Sequence, residues 1–179
     1  MKRFYTLICA LFLCCITAVS VRAQKVNHAS KLPAILTTVD SVSSDILLSF
    51  AQTLLGVRYR AASSDPLRGF DCSGFVSYVF KKINFVVPRS SNEFANVGEK
   101  IKLEDAKPGD VILFTGTKTH HPHSIGHIGI VFSNEDGQLK FIHSTSGKEH
   151  GVTISAMEDT YKRRFVEVVR LLKQDISQL

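Results

Sequence analysis

Apolar residues along this chain change their spacing near residue 108, and the change separates a helical part from a strand part. Ahead of it, Val42, Ile46, Leu47, Phe50 and Leu54 keep helical spacing over 41–55, with Gly56 a natural stop. Phe75, Val76, Val79 and Phe80 repeat the pattern and predict a second helix from Cys72 to about Lys82, buried on one face. Asp71 stands where its N-cap belongs. The stretch 60–69, with Ser63-Ser64-Asp65-Pro66, reads as a loop. Val86-Val87-Pro88-Arg89-Ser90-Ser91 reads as a connector that opens a short helix through Phe94. Beyond Lys107-Pro108-Gly109-Asp110 the apolar runs become short and rich in β-branched and aromatic residues: 111–114, 127–132, 139–143, 152–154 and 165–171. Helices first and antiparallel strands after predict an α+β domain, its helices packed on one face of the sheet.

The first residues fit neither pattern. Lys2 and Arg3 precede an apolar run over 7–21, closed by Val21-Arg22-Ala23. This is the layout of a secretory signal peptide over 1–23, leaving 24–40 as a polar tether and 41–179 as the domain. The run is short for a membrane span, which needs about 20 residues. A retained anchor is the lesser alternative, and no stable membrane insertion is expected once the signal is cut. Cys14 and Cys15 sit inside the run behind bulky residues, which suits lipid attachment poorly.

Losing that segment changes two counts. The 179 residues carry 22 Lys and Arg against 16 Asp and Glu, a net charge of +6. Lys2, Arg3 and Arg22 leave with the signal, so the excess halves. No basic stripe with interleaved aromatics speaks for nucleic acid. Of four cysteines, Cys9, Cys14 and Cys15 also leave, and Cys72 remains alone. Exported domains use cysteines in pairs, so a solitary one is either incidental or a reactive thiol.

Cys72 falls in the first turn of its helix, where free backbone N–H groups and the helix dipole favour thiolate, the nucleophilic form. A lone cysteine is more often a buried structural residue, so the reading turns on a base within reach. Of seven histidines, His127 opens one strand run and His143 closes the next, with a hairpin signal over 133–137 between them. A three-residue loop would set 127 directly opposite 143, with Cβ atoms about 5 Å apart. A loop of two or four residues would send the rings to opposite faces. Asp136-Gly137 favours the odd loop, with Gly137 in a left-handed bulge position. His127 then serves as base and His143 fixes its tautomer and ring angle. Alone, His127 reads more simply as a hydrogen-bonded strand-end histidine. His120, His121 and His123 offer a metal site with His127. Three histidines in one loop, without Cys or carboxylate, fit zinc poorly, and a solvated loop is the simpler account. No metal or cofactor is expected.

Six motifs in order resemble the NlpC-type papain-like cysteine peptidases of bacterial cell walls. They are Leu55-Gly56-Val57-Arg58-Tyr59, Gly69-Phe70-Asp71-Cys72-Ser73-Gly74-Phe75-Val76, Val87-Pro88-Arg89-Ser90-Ser91, 107–114, His127-Ile128-Gly129-Ile130 and Phe141-Ile142-His143-Ser144. The resemblance spans about 45–172. It implies a papain-like fold with Cys72 as nucleophile, His127 as base and His143 as the orienting third residue. Tyr59 would line the oxyanion side, and Asp71 and Ser73 would hold the substrate's amino end. The implied substrate is a peptidoglycan stem peptide. The γ-D-glutamyl–diamino acid bond is the first candidate and a crosslink the second. The implied location is the cell wall, periplasmic or extracellular. Two departures stand out. Arg60-Ala61-Ala62 replaces the family's aromatic and Gly-Gly pair, and Glu93-Phe94 stands near its usual glutamine. The competing expectation is a wall-binding module that keeps the fold without turnover. Oligomeric state is not written in the sequence.

Overall fold

A computed structural model describes residues 44–117 and 124–172. The expected signal peptide, the tether and His120, His121 and His123 lie outside the described residues. Helix α1 covers 44–52 and unwinds through single turns to Gly56. A small hairpin of β1 (Ser64–Asp65) and β2 (Gly69–Phe70) leads directly into α2 (Cys72–Lys82). Two 3-10 turns, Glu93–Asn96 and Leu103–Asp105, flank β3 (Glu99–Ile101). The remaining elements are β4 (Val111–Thr115), β5 (Ile125–Glu135), β6 (Gln138–Ser144), β7 (Val152–Ala156), α3 (Asp159–Arg164) and β8 (Phe165–Arg170). The larger sheet has the order β3-β8-β4-β5-β6-β7, and every pairing in it is antiparallel. This is the α+β arrangement expected. The edge strand β3 and the short α3 were not legible as elements: each is brief and mostly polar.

Strand alternation gives the sheet two different faces. On one, Val111, Leu113, Ile128, Ile130 and Ile142 meet Phe75, Val76 and Val79 of α2 together with Leu47 and Ala51 of α1. On the other, Ile112, Phe114, Val131, Phe141 and Val168 pack with Met157, Tyr161 and Phe165 around α3. The second face is therefore covered as well. The Lys107-Pro108-Gly109-Asp110 motif fastens the start of β4. Buried Asp110 accepts from Nε and Nη2 of Arg170, both at 2.8 Å, and from the Lys107 N–H. A two-pronged, charge-assisted contact of this kind satisfies a carboxylate that burial would otherwise penalise.

The β5–β6 hairpin departs from the expected register. Glu135 pairs with Gln138, so the loop holds only Asp136 and Gly137, at φ 51° and 73°. Both residues at positive φ is the turn that matches strand twist, and Asp-Gly is suited to it. A loop of two would have put the histidines on opposite faces. A one-residue bulge restores them: Ser133 pairs with Lys140 but Val131 with Phe141, leaving Phe132 as the extra residue. Ile130 pairs with Ile142, and one residue further on the same register sets Gly129 against His143, where a Cβ on Gly129 would lie 3.2 Å from His143 Cβ. His127 and His143 thus share a face as diagonal neighbours, not as a direct pair.

Candidate active site

The chain enters α2 through a tightly fixed turn. Asp71 is its N-cap, accepting from the Gly74 N–H at 2.6 Å, an interaction of about 1 kcal/mol. The Asp71 N–H donates to the Ser63 carbonyl, and a side chain at position 74 would run into that same oxygen, which accounts for Gly74. Buried Ser144, at the end of β6, donates to the Phe70 carbonyl at 2.8 Å and ties the nucleophile turn to the histidine strand. Arg89 adds a third tie. Its Nη1 and Nη2 reach the two Asp71 oxygens at 3.0 and 2.7 Å, and Nη1 also donates to Ser73 Oγ at 3.0 Å. Asp71 and Ser73, expected to hold a substrate's amino end, thus direct their oxygens at Arg89, and neither lines the cavity described below.

Cys72 is half-buried and is the free cysteine of the described residues. The N–H groups of Ser73, Cys72 and Ile128 pull its pKa down, so the sulfur lies beside the residue that follows His127 on β5. Burial and the Asp71 charge outweigh them and push the thiol above its ordinary value. This corrects the expectation of a resting thiolate. The carboxylate that caps the helix also opposes a negative sulfur beside it.

The histidines form a chain of polar contacts inside an aromatic wall. His127 Nε2 and His143 Nδ1 are 2.8 Å apart, and His143 Nε2 lies 2.9 Å from Ser155 Oγ on β7. Phe114, Phe141 and Tyr161 surround the rings, with Tyr161 stacked on His127 at 6.2 Å between centroids. Gly129 makes room for this arrangement: a Cβ there would lie 2.7 Å from Phe141 Cδ2 and 3.2 Å from His143 Cβ. Burial, then the Arg164 charge, lowers the His127 pKa to about 3. Burial, His127 and Arg164 lower that of His143 well below its usual range. Both rings are neutral at pH 7, so each carries one proton. Two tautomer sets satisfy the contacts: both rings protonated on Nε2, with His127 donating to His143 and His143 to Ser155, or both on Nδ1 with the directions reversed. Only the first leaves His127 Nδ1 as a free base.

Cys72 and His127 come together in a cavity of about 750 Å³, whose wall also includes Tyr59, Tyr161, Thr160 and Arg164. That volume suits a small-molecule or peptide fragment. Burial, Cys72 and Asp71 raise the Tyr59 pKa, so its phenol is a neutral donor. The structure thus gathers Cys72, His127, His143 and Tyr59 from elements far apart in sequence. Three participants went unread in the sequence. Ser155 has no signal until register is known, Arg89 read only as part of a connector, and Arg164 sits in a basic run on a short helix. In the Arg60-Ala61-Ala62 turn, Ala62 adopts φ 55°, a conformation that favours glycine. Phe94 is fully buried in the first core. Among the described residues no group of three or more His, Cys, Asp or Glu could hold a metal ion. No described helix is long and apolar enough to cross a membrane.

Comparison with known proteins places this geometry. The model described as "NlpC/P60 family" matches residues 56–170. The chain is 39% identical over 116 residues to gamma-DL-glutamyl hydrolase of Bacillus subtilis (strain 168), covering 63% of this chain and 26% of that protein. It is 34% identical over 121 residues to murein DD-endopeptidase MepS/murein LD-carboxypeptidase of Escherichia coli (strain K12), covering 66% and 58%. In both cases it spans less than two thirds of the relative's own length. Among solved structures, an NlpC/P60 family protein from Bacillus cereus matches with a TM-score of 0.63 at 27% identity, over 73% of this chain and 40% of that one. With a family model covering most of the described fold, the chain belongs to the NlpC/P60 family.

Proposed function

We propose that this protein is a cysteine endopeptidase that hydrolyses amide bonds in peptidoglycan stem peptides, the γ-D-glutamyl–diamino acid bond first among them. The observation that carries the reading is that His127, held at 2.8 Å from His143 Nδ1 through its Nε2, lines one cavity with Cys72; with His127 protonated on Nε2, its other nitrogen is the base. The resting pair is a neutral thiol and a neutral imidazole. His127 takes the thiol proton as the sulfur–carbon bond forms. The carbonyl oxygen gains the negative charge and accepts from the Cys72 N–H and the Tyr59 hydroxyl. His127 returns the proton to the departing amine as the C–N bond breaks. Water, deprotonated by the same ring, then cleaves the thioester and regenerates the thiol. Asp71, Ser73 and Arg89 hold the turn on which the sulfur sits.

The names of the relatives, a gamma-DL-glutamyl hydrolase and a murein endopeptidase, support the substrate class. The basic start and apolar run over 1–23 support export, with 24–40 as tether, 41–179 as domain and the cell wall as the site of action. Burial of Cys72 and the Asp71 charge beside it, both of which oppose a thiolate, favour a second reading, a wall-binding module without turnover. Purified wall fragments incubated with wild type and Cys72→Ala separate the two. The peptidase releases peptides, seen by mass spectrometry, and Cys72→Ala does not. Equal release from both, or binding by wild type with no release, overturns the enzymatic reading.

A further inference from the structure

Among the described residues lining the cavity, Arg164 is the one side chain with a formal charge at neutral pH. Its guanidinium is held in place. Nε and Nη2 both donate to the Thr115 carbonyl at the end of β4, at 3.0 and 2.6 Å, and its Cζ lies 5.9 Å from the centre of the Tyr161 ring. No carboxylate among the described residues pairs with it. Two N–H groups on Nη1 and one on Nη2 remain, an edge that matches a carboxylate. Burial weakens its hold on its own proton, which records the cost of keeping the charge half out of water. A fixed, partly dehydrated cation without a counter-charge is unfavourable unless an anion arrives. It also works against the chemistry as the free protein stands, because His127 must become cationic nearby.

We propose that Arg164 binds a carboxylate of the substrate on the leaving-amine side of the scissile bond. The protein then selects peptides whose departing residue is a free acid. The side follows from His127. The leaving amine must lie against that ring to receive its proton, and Tyr161, stacked on His127, lies beside Arg164. A bound carboxylate cancels the cation beside the base, so recognition and proton transfer are coupled and both KM and kcat respond. The inference rests on the peptidase reading and names the substrate feature that reading leaves open.

The test uses the full chain and two γ-glutamyl peptides that differ only in the leaving residue, which carries a free α-carboxylate or a carboxamide. Wild type is expected to favour the free acid by about 10- to 100-fold in kcat/KM, the range of a charge-assisted hydrogen bond at a half-buried group. Arg164→Gln should bring the free acid down to the level of the amide, so that the preference is lost. Arg164→Lys, which keeps the charge but not the fixed two-pronged edge, should keep part of the preference. A wild type that does not discriminate, or an Arg164→Gln variant equally impaired on both peptides, overturns the assignment; the second outcome would make Arg164 only a brace for Thr115. Titration calorimetry of both peptides with Cys72→Ala protein decides the point without hydrolysis, so failure of turnover and failure of recognition are read separately. If Arg164→Gln does not fold, Arg164→Lys and the wild-type preference at rising salt carry the test. That preference should shrink as salt screens the pair and should not change if no charge is involved.

Discussion

The two faces of the sheet are built from alternate residues of the same strands yet do different work. Ile128, Ile130 and Ile142 point to α2 and join a wholly apolar core that also buries Phe70, Phe75, Phe80 and Phe94. Their neighbours His127, Gly129 and His143 belong to the other side, among Phe114, Phe141 and Tyr161. The α2 face needs only volume and apolar character. The α3 face buries two histidines, which it tolerates because both are neutral and each contacts a polar partner. Substitutions on the first face should register in stability and on the second in turnover, even at adjacent positions.

The largest expected separation is between His143 and its neighbour. His143→Ala should lower kcat by about 100-fold or more, since His127 loses the contact that fixes its tautomer and ring. Equal kcat in His143→Ala and wild type would break the comparison. Gly129→Ala comes next. Its new Cβ must displace Phe141 or His143. An unfolding free energy lower by about 1–3 kcal/mol, with turnover reduced as well, is the expected result. An alanine accepted there without loss of either would contradict the packing described.

The histidines also give the fold a pH dependence whose sign is fixed. Their folded pKa values lie below 6.5, His127 at about 3, so unfolded chains bind protons that the native state refuses. Stability is complete above about pH 6.5 and falls as pH drops through it, by up to about 1.4 kcal/mol per pH unit for each ring. Denaturant midpoints between pH 7 and pH 5 measure this, and His143→Ala should flatten the slope. A slope unchanged by that substitution would show that the ring does not titrate as buried. The smallest effect belongs to the α2 face. Ile142→Val should cost about 1 kcal/mol of stability and leave kcat per folded molecule unchanged.

Much of this was legible in the sequence, for reasons that differ by residue. Phe75, Val76, Val79 and Phe80 announced α2 because helical spacing is a local property. The strand runs were equally plain. The meeting of His127 with His143 was legible as a parity question, but its answer was not. Turn chemistry at Asp136-Gly137 sets a two-residue loop, and the bulge at Phe132 that restores parity depends on packing rather than on any turn signal. Arg89 and Ser155 depend on contacts between distant segments. The thiol's state is not legible in the sequence, where Asp71 reads as a cap: burial of the sulfur and then the Asp71 charge beside it appear only in the fold.

The claim that Cys72 and His127 act as one reacting pair is met most directly by intact-mass measurement of the protein quenched during turnover of a stem peptide. Wild type should gain a transient acyl mass located on Cys72. In His127→Ala the adduct should form at least about 1,000-fold more slowly, while the peptide still binds. Acylation at the wild-type rate in His127→Ala, or peptide hydrolysis by Cys72→Ala, would contradict the account.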